Sequence, residues 1–376
     1  MRVLDLTSTM SGPFCTLLLA QLGAFVDKVE PPTGDVLRRV PGGKSPTMSP
    51  MFLAFNAGKR SIALDLGVES NRELLRRSFA RYDVIVHNMR PSAASRIGLT
   101  TTDLTEMGAT AVLCEIVGYG PGPLQDQPAY DDTIQAASGM AWVQGNGAAP
   151  EYVRTAIADK TAGIYAALAV CAELAGRAAG GAPRSVKIPM LETLAAYTTI
   201  EQLGGLTFDP PTGPALYART ASPDRRPYAT ADGHISVMIY TDRHWRAFLA
   251  EVGQADLVTD PRFATLEGRT TNIDEVYAFV AEHIGRRTTA DWITTLRRID
   301  VPHASVNSIG ALFDDEQLAA VGMFPLKGHP TEGLIQTARS PFLFDDQPLS
   351  SPGYAERLGA STASFIDEQR ARTAEG

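Results

Sequence analysis

Residues 1–30 read MRVLDLTSTMSGPFCTLLLAQLGAFVDKVE, and this stretch decides the fold. Val3–Leu6 is a short aliphatic run, Gly12-Pro13 opens a helical pattern that continues to Ala20, and Phe25–Val29 is a second aliphatic run. Proline in a first turn and glycine just past a last turn, here Gly23, are helix punctuation, so the segment predicts strand, helix, strand. Working outward, Ser61–Leu64, Val84–His87, Val112–Ile116 and Val186–Pro189 read as further strands, with a polar helix over Glu69–Ala80. Short aliphatic runs alternating with helices predict an α/β chain, a Rossmann-like doubly wound sheet with crossover helices. Ile164, Leu168, Cys171 and Ala175 share one face at i, i+4, i+7 and i+11, which predicts a helix over Lys160–Ala178 with Asp159 just before it.

The chain's 376 residues exceed what one hydrophobic core usually fills, roughly 250–300. We expect a large domain over 1–205, a Pro/Gly-rich linker over 206–227, a smaller α+β domain over 228–322, and a return of 323–376 to the large domain. A net charge of −8 argues against generic binding to nucleic acid or an anionic membrane. No segment approaches the ~18 apolar residues of a membrane span. Three scattered cysteines offer neither a disulfide framework nor zinc spacing, so the expected compartment is cytoplasmic and no metal is expected.

Several familiar motifs fail. The first βα turn, Ser11-Gly12-Pro13-Phe14, has one of the three glycines of a dinucleotide fingerprint, and Gly43-Lys44-Ser45 has Arg38 where a P-loop needs its first glycine. No G-x-S-x-G or H-E-x-x-H occurs, and no histidine lies between 88 and 233. Cations remain near the carboxyl ends of strands, where open α/β sheets bind ligands: Arg38, Lys59, Arg60, Arg90 and Arg96. Singly each reads as solvated surface charge; together they suggest a polyanionic ligand. Asp159, just before a helix, reads first as an N-cap, and the same geometry leaves it compatible with an ionised carboxylate available for nucleophilic chemistry.

In order, four segments (19–38, ending G-D-x-x-R; N-x-G-K-R-S at 56–61; N-M-R-P at 88–91; A-D-K-T-A-G-I-Y-A at 158–166) resemble the family III CoA-transferases, which include formyl-CoA and carnitine CoA-transferases and α-methylacyl-CoA racemases. The likeness continues through R-R-P-Y-x-T-x-D-G-H-I at 225–235 and D-P-R-F-A-T at 260–265. The resemblance implies CoA transfer from an acyl-CoA to a carboxylic acid, with Asp159 as catalytic residue and Arg38, Lys59, Asn88, Met89 and Arg96 at the CoA site. It also implies an interlocked homodimer, with the CoA thioester as substrate and no permanently bound cofactor. The racemases carry a histidine where this chain has Tyr130. Tyrosine titrates near ~10, poorly suited to two-base racemisation, so transfer is the better expectation and racemase or non-catalytic CoA binding the alternatives. Tyr130 is either a packed aromatic or a substrate contact. Met10 and the region around Tyr217 suggest an acid larger and less polar than oxalate or formate. A glycine-bracketed turn, Gly118 and Gly120, is the candidate for oxyanion stabilisation.

Overall fold

The computed structural model describes residues 1–145, 148–181 and 184–373. It divides into two compact units, one made of Met1–Ala141, Tyr152–Thr198 and the chain from Ala319 onward, the other of Trp142–Glu151 and Thr199–Leu318.

Six parallel strands organise the first unit: β1 (Arg2–Leu6), β2 (Phe25–Glu30), β3 (Lys59–Ala63), β4 (Val84–His87), β5 (Val112–Val117) and β6 (Val186–Pro189). Their spatial order is 3-2-1-4-5-6, the doubly wound order. Side chains alternate across the sheet as strand geometry requires. Val3, Val26, Val86, Cys114 and Ile188 pack on one side, and Leu4, Ile62, Ile85 and Leu113 on the other. The helices used below are α1 (Ser11–Gln21), α2 (Glu69–Ser78), α3 (Pro91–Arg96), α4 (Asp131–Ala137), α5 (Ile157–Ala178) and α6 (Met190–Gln202). Helix α7 (Thr362–Thr373) brings Phe365 into the core beside Leu75 of α2.

Helix α5 forms, but the face that marked it in the sequence is not its buried one. Ile164 and Leu168 are 50% and 65% exposed, whereas Ala158, Ala162, Ala166 and Val170 are buried. Small residues let α1 and α5 approach closely: a Cβ added at Gly163 would lie 2.7 Å from the Ser11 carbonyl oxygen. The helix also begins at Ile157 with Ala156 as N-cap, so Asp159 lies inside its first turn and does not cap it.

Beneath the amino end of α1 lies a buried ionic cluster. Lys59 Nζ is 3.0 Å from Asp5, Lys28 Nζ is 3.0 Å from Asp35, and Arg38 Nε is 2.7 Å from Glu30. Three carboxylates meet three cations, which is how charge becomes tolerable away from water. Burial alone would push the Asp5 carboxyl up, yet Lys28, Lys59 and the hydroxyls of Thr16 and Thr7 hold it well below the ordinary carboxylate range. Burial pushes the Lys59 ammonium down to about 8, against the opposing pull of Asp5.

The second unit contains a three-stranded antiparallel sheet, β7 (Tyr228–Ala229), β8 (His234–Val237) and β9 (His303–Ser305), in the order 7-8-9. Its helices include α8 (Asp242–Glu251), α9 (Ile273–Ile284) and α10 (Thr289–Arg298), whose Phe248, Val280 and Trp292 share one core. Residues 206–227 lie within this unit and include a helical turn, Ala218–Ala221. Here and in the first unit, no helix among the described residues is long and apolar enough to cross a membrane.

Replacing Arg38 by Met strands the buried Glu30 carboxylate, and we expect a loss of roughly 3–5 kcal/mol, read as a lowered urea midpoint. Adding Glu30→Gln should restore much of it, while Arg96→Ala, on the surface, should leave the midpoint nearly unchanged.

Candidate active site

The β1–α1 turn, residues 7–11, is held from below by the ionic cluster. Thr7 donates its N–H and hydroxyl to Asp5, its carbonyl accepts from Lys28 Nζ at 2.8 Å, and the Pro13 carbonyl accepts from Lys59 Nζ at 2.9 Å. Asn88 clasps the turn from β4, accepting from Ser8 N–H at 3.0 Å and donating to the Ser8 carbonyl at 2.8 Å. Thr9 sits at φ 69°, a conformation unfavourable for a β-branched residue, and its N–H donates to Asp35. Gly12 is required at its place, because a Cβ there would lie 2.2 Å from Thr7 Cβ.

The turn delivers Ser11 to Asp159. The hydroxyl and the N–H of Ser11 lie beside the Asp159 carboxylate and favour its ionised form. Met10, the N-cap residue of α1, has no side-chain acceptor, so this amide at the positive helix end is free to bind an anion. Asp159 is 8% exposed. Burial and the neighbouring Asp131 push its pKa up to about 6, and the polar hydrogens of Ser11 oppose that rise. Asp131, the first residue of α4, accepts the Asp159 backbone N–H at 3.0 Å. The carboxylate is thus ionised at neutral pH, more basic than one in water, and poorly solvated, which suits it to attack a carbonyl carbon.

Asp159 lines a cleft of about 200 Å³ together with Asn88, Met89, Arg90, Gly118 and Tyr130. Tyr130, 70% exposed, precedes α4 as its N-cap residue. Other expected site residues lie elsewhere. Met10 does not line the cleft; it packs against the cluster of Leu37, Met48 and Phe52. The Gly120 N–H is already committed, donating to Glu192 Oε1 at 2.9 Å, which removes it as a free oxyanion donor.

The five cations separate sharply. Arg38 is buried, bonded to Glu30, Ser61 and the carbonyls of Thr47 and Glu356, with its guanidinium 3.6 Å from the Phe52 ring centroid. Lys59 is equally buried among Asp5, Asn56 and Pro13. Neither presents its charge to a ligand, because an internal carboxylate has claimed it. Arg60 is committed to Asp27 and Glu368. Arg90 and Arg96 are exposed and form no ion pair among the described residues; Arg90 lines the cleft, Arg96 does not. Histidine chemistry is absent from the cleft wall: His87 is buried, pushed down to about 4 by burial and by Lys187.

Ser11 and Asp131 are the residues that pattern reading missed. A serine directly before Gly-Pro at a helix start was the available signal for Ser11; nothing in the sequence pairs Asp131 with Asp159.

Against known proteins, residues 1–362 match the model of CoA-transferase family III. Succinate–glutarate CoA-transferase of Agrobacterium fabrum is 27% identical over 98% of this chain and 94% of its own. Formyl-CoA:oxalate CoA-transferase of Streptomyces avermitilis is 28% identical over 93% and 91%. The crystal structure of Rv3272 from Mycobacterium tuberculosis superposes with a TM-score of 0.83 at 25% identity, covering 97% of this chain and 98% of that one. A CAIB/BAIF family protein from Brucella suis gives 0.81 at 26%, covering 98% of each. The chain belongs to CoA-transferase family III. It is a CoA-transferase, an enzyme whose substrates are CoA thioesters.

Because the Asp159 carboxyl is raised to about 6 in the fold against 3.8 in the open chain, its ionised form disfavours folding above about pH 6, and that penalty vanishes as pH falls below about 4. Asp159→Asn should therefore raise the thermal midpoint at pH 8, by on the order of 1–3 kcal/mol of stability, with the advantage disappearing near pH 4. Transfer by the wild type should fall as pH drops through about 6, where the carboxylate is lost.

Proposed function

We propose that Asp159 is the nucleophile of CoA transfer. Its carboxylate oxygen attacks the thioester carbonyl of the donor acyl-CoA, the C–S bond breaks, and an aspartyl–acyl anhydride and CoA thiolate result. The thiolate attacks the aspartyl carbonyl and expels the donor acid, leaving an aspartyl-CoA thioester. The acceptor carboxylate attacks that thioester to form a new anhydride, and the released thiolate attacks its acceptor carbonyl, giving the product acyl-CoA and free Asp159. Thioester and anhydride are of comparable energy, so each step is an exchange that needs neither ATP nor metal.

The observation that carries this reading is a buried, poorly solvated carboxylate beside Ser11 at the wall of a cleft. Asn88 fixes the turn that presents Ser11, and Met89 and Gly118 line the approach. Arg90 and Arg96, uncommitted to carboxylates, supply the charge for the CoA phosphates in place of Arg38 and Lys59. The acceptor is an organic acid. The relatives named for succinate and glutarate support a dicarboxylic acid.

Given acyl-CoA without acceptor, the enzyme should accumulate an ester at Asp159 that hydroxylamine intercepts and peptide mapping locates. Asp159→Asn should abolish transfer while remaining folded. A racemase of the same family would instead exchange the α-proton with solvent deuterium; uptake of deuterium with no trapped adduct and no transfer would overturn the proposal.

The protein acts as an interlocked homodimer, a reading supported by large apolar side chains left in water on this chain: Ile164 and Leu168 of α5, and Ile200 of α6, which is 88% exposed. Light scattering should return twice the chain mass after long dilution. A monomer would overturn this reading.

A further inference from the structure

The second unit has a pocket of its own, about 280 Å³, bounded by β8, α9 and the helical turn Ala218–Ala221. Four arginines line it, and they are not equivalent. Arg226 pairs with Asp224 at 3.1 Å, and Arg269 pairs with Asp242 and donates to the Phe263 carbonyl at 2.7 Å. Arg225 is exposed and makes no ion pair among the described residues.

Arg219 is held only by neutral groups. Its Nε donates to the Tyr277 hydroxyl at 2.9 Å, a terminal nitrogen reaches the Met238 sulfur, and the Tyr240 ring centroid lies 5.3 Å from the guanidinium carbon. No carboxylate among the described residues lies within ion-pair distance of it. Tyrosine oxygens and rings orient a guanidinium without cancelling its charge. In a chain of net charge −8, this pocket therefore gathers uncompensated positive charge against low-dielectric walls, which focuses its field on a bound anion.

We infer that this pocket binds a small organic acid, its carboxylate on Arg219 and its carbon skeleton against Val237, Ile273 and Val276. The planar guanidinium matches a carboxylate, and the unpaired Arg225 favours a second one, so a short dicarboxylate fits better than a monocarboxylate of equal length. The apolar wall has no use in holding bare phosphate, and the volume, at the lower end of ligand sites, is too small for a CoA-sized molecule. The inference stands apart from the role of Asp159, because the pocket and the Asp159 cleft share no residue.

Glutarate titrated calorimetrically into the full chain, without acyl-CoA, should show one saturable site. Arg219→Gln should weaken it roughly tenfold or more, the scale of a charge-assisted hydrogen-bonded pair. Tyr277→Phe, which keeps the ring and removes the oxygen that orients Nε, should weaken it severalfold, and Asp159→Asn should bind as the wild type does. Valerate should bind more weakly than glutarate, and inorganic phosphate should not compete. Circular dichroism monitors folding; if Arg219→Gln does not fold, unchanged affinity in Tyr277→Phe is enough to reject the pocket. The inference is also overturned by absence of saturable binding, by unchanged affinity in a folded Arg219→Gln, by loss of binding in Asp159→Asn, or by phosphate displacing glutarate.

Discussion

The six buried charges under the first βα turn are the constraint on which the rest of the first unit depends. Asp5, Glu30 and Asp35 are balanced by Lys28, Arg38 and Lys59, and the cations hold more than their carboxylates. Lys28 and Lys59 also take the carbonyls of Thr7 and Pro13, so the turn that carries Ser11 is anchored from beneath at both ends. Such a cluster is weak evidence for net stability, since apolar residues of the same volume could pack as well. Its consequence is directional: it holds Thr9 in an unfavourable backbone conformation and aims the amino end of α1 at one side chain.

That side chain is Asp159, whose electrostatics are a balance of two opposed effects. Burial beside Asp131 raises the carboxyl to about 6, and the neighbouring Ser11 opposes the rise. Positions on both α1 and α5 set this balance, and Gly163 permits the close approach of the two helices on which it rests. A transferase needs this intermediate basicity, because the same carboxylate must form an anhydride and then be released from it.

Strand and helix identities followed from composition and period alone: aliphatic runs of four to six residues bounded by Gly and Pro can hardly be anything but buried strands in an α/β sheet. The sequence also singled out Asp159, Asn88, Met89, Gly118 and Tyr130, and these do line one cleft. Asp159 and Gly118 stand out by residue type at the start of a helix and the end of a strand, whereas Asn88, Met89 and Tyr130 stand out by the family resemblance of the segments that carry them.

Which way a charge points is a different kind of property. Arg38 and Lys59 have the same local signature as Arg90 and Arg96, a cation just past or beside a strand end. Only the pairing of β1, β2 and β3 brings Asp5 and Glu30 within reach of the first two and turns them inward. Likewise the apolar period of α5 marked a helix, but the packing of α1 against an alanine face left Ile164 and Leu168 outside. Period and propensity are summed along the chain and so can be read from it; charge compensation and close packing depend on residues distant in sequence, and only the tertiary structure decides which of them meet.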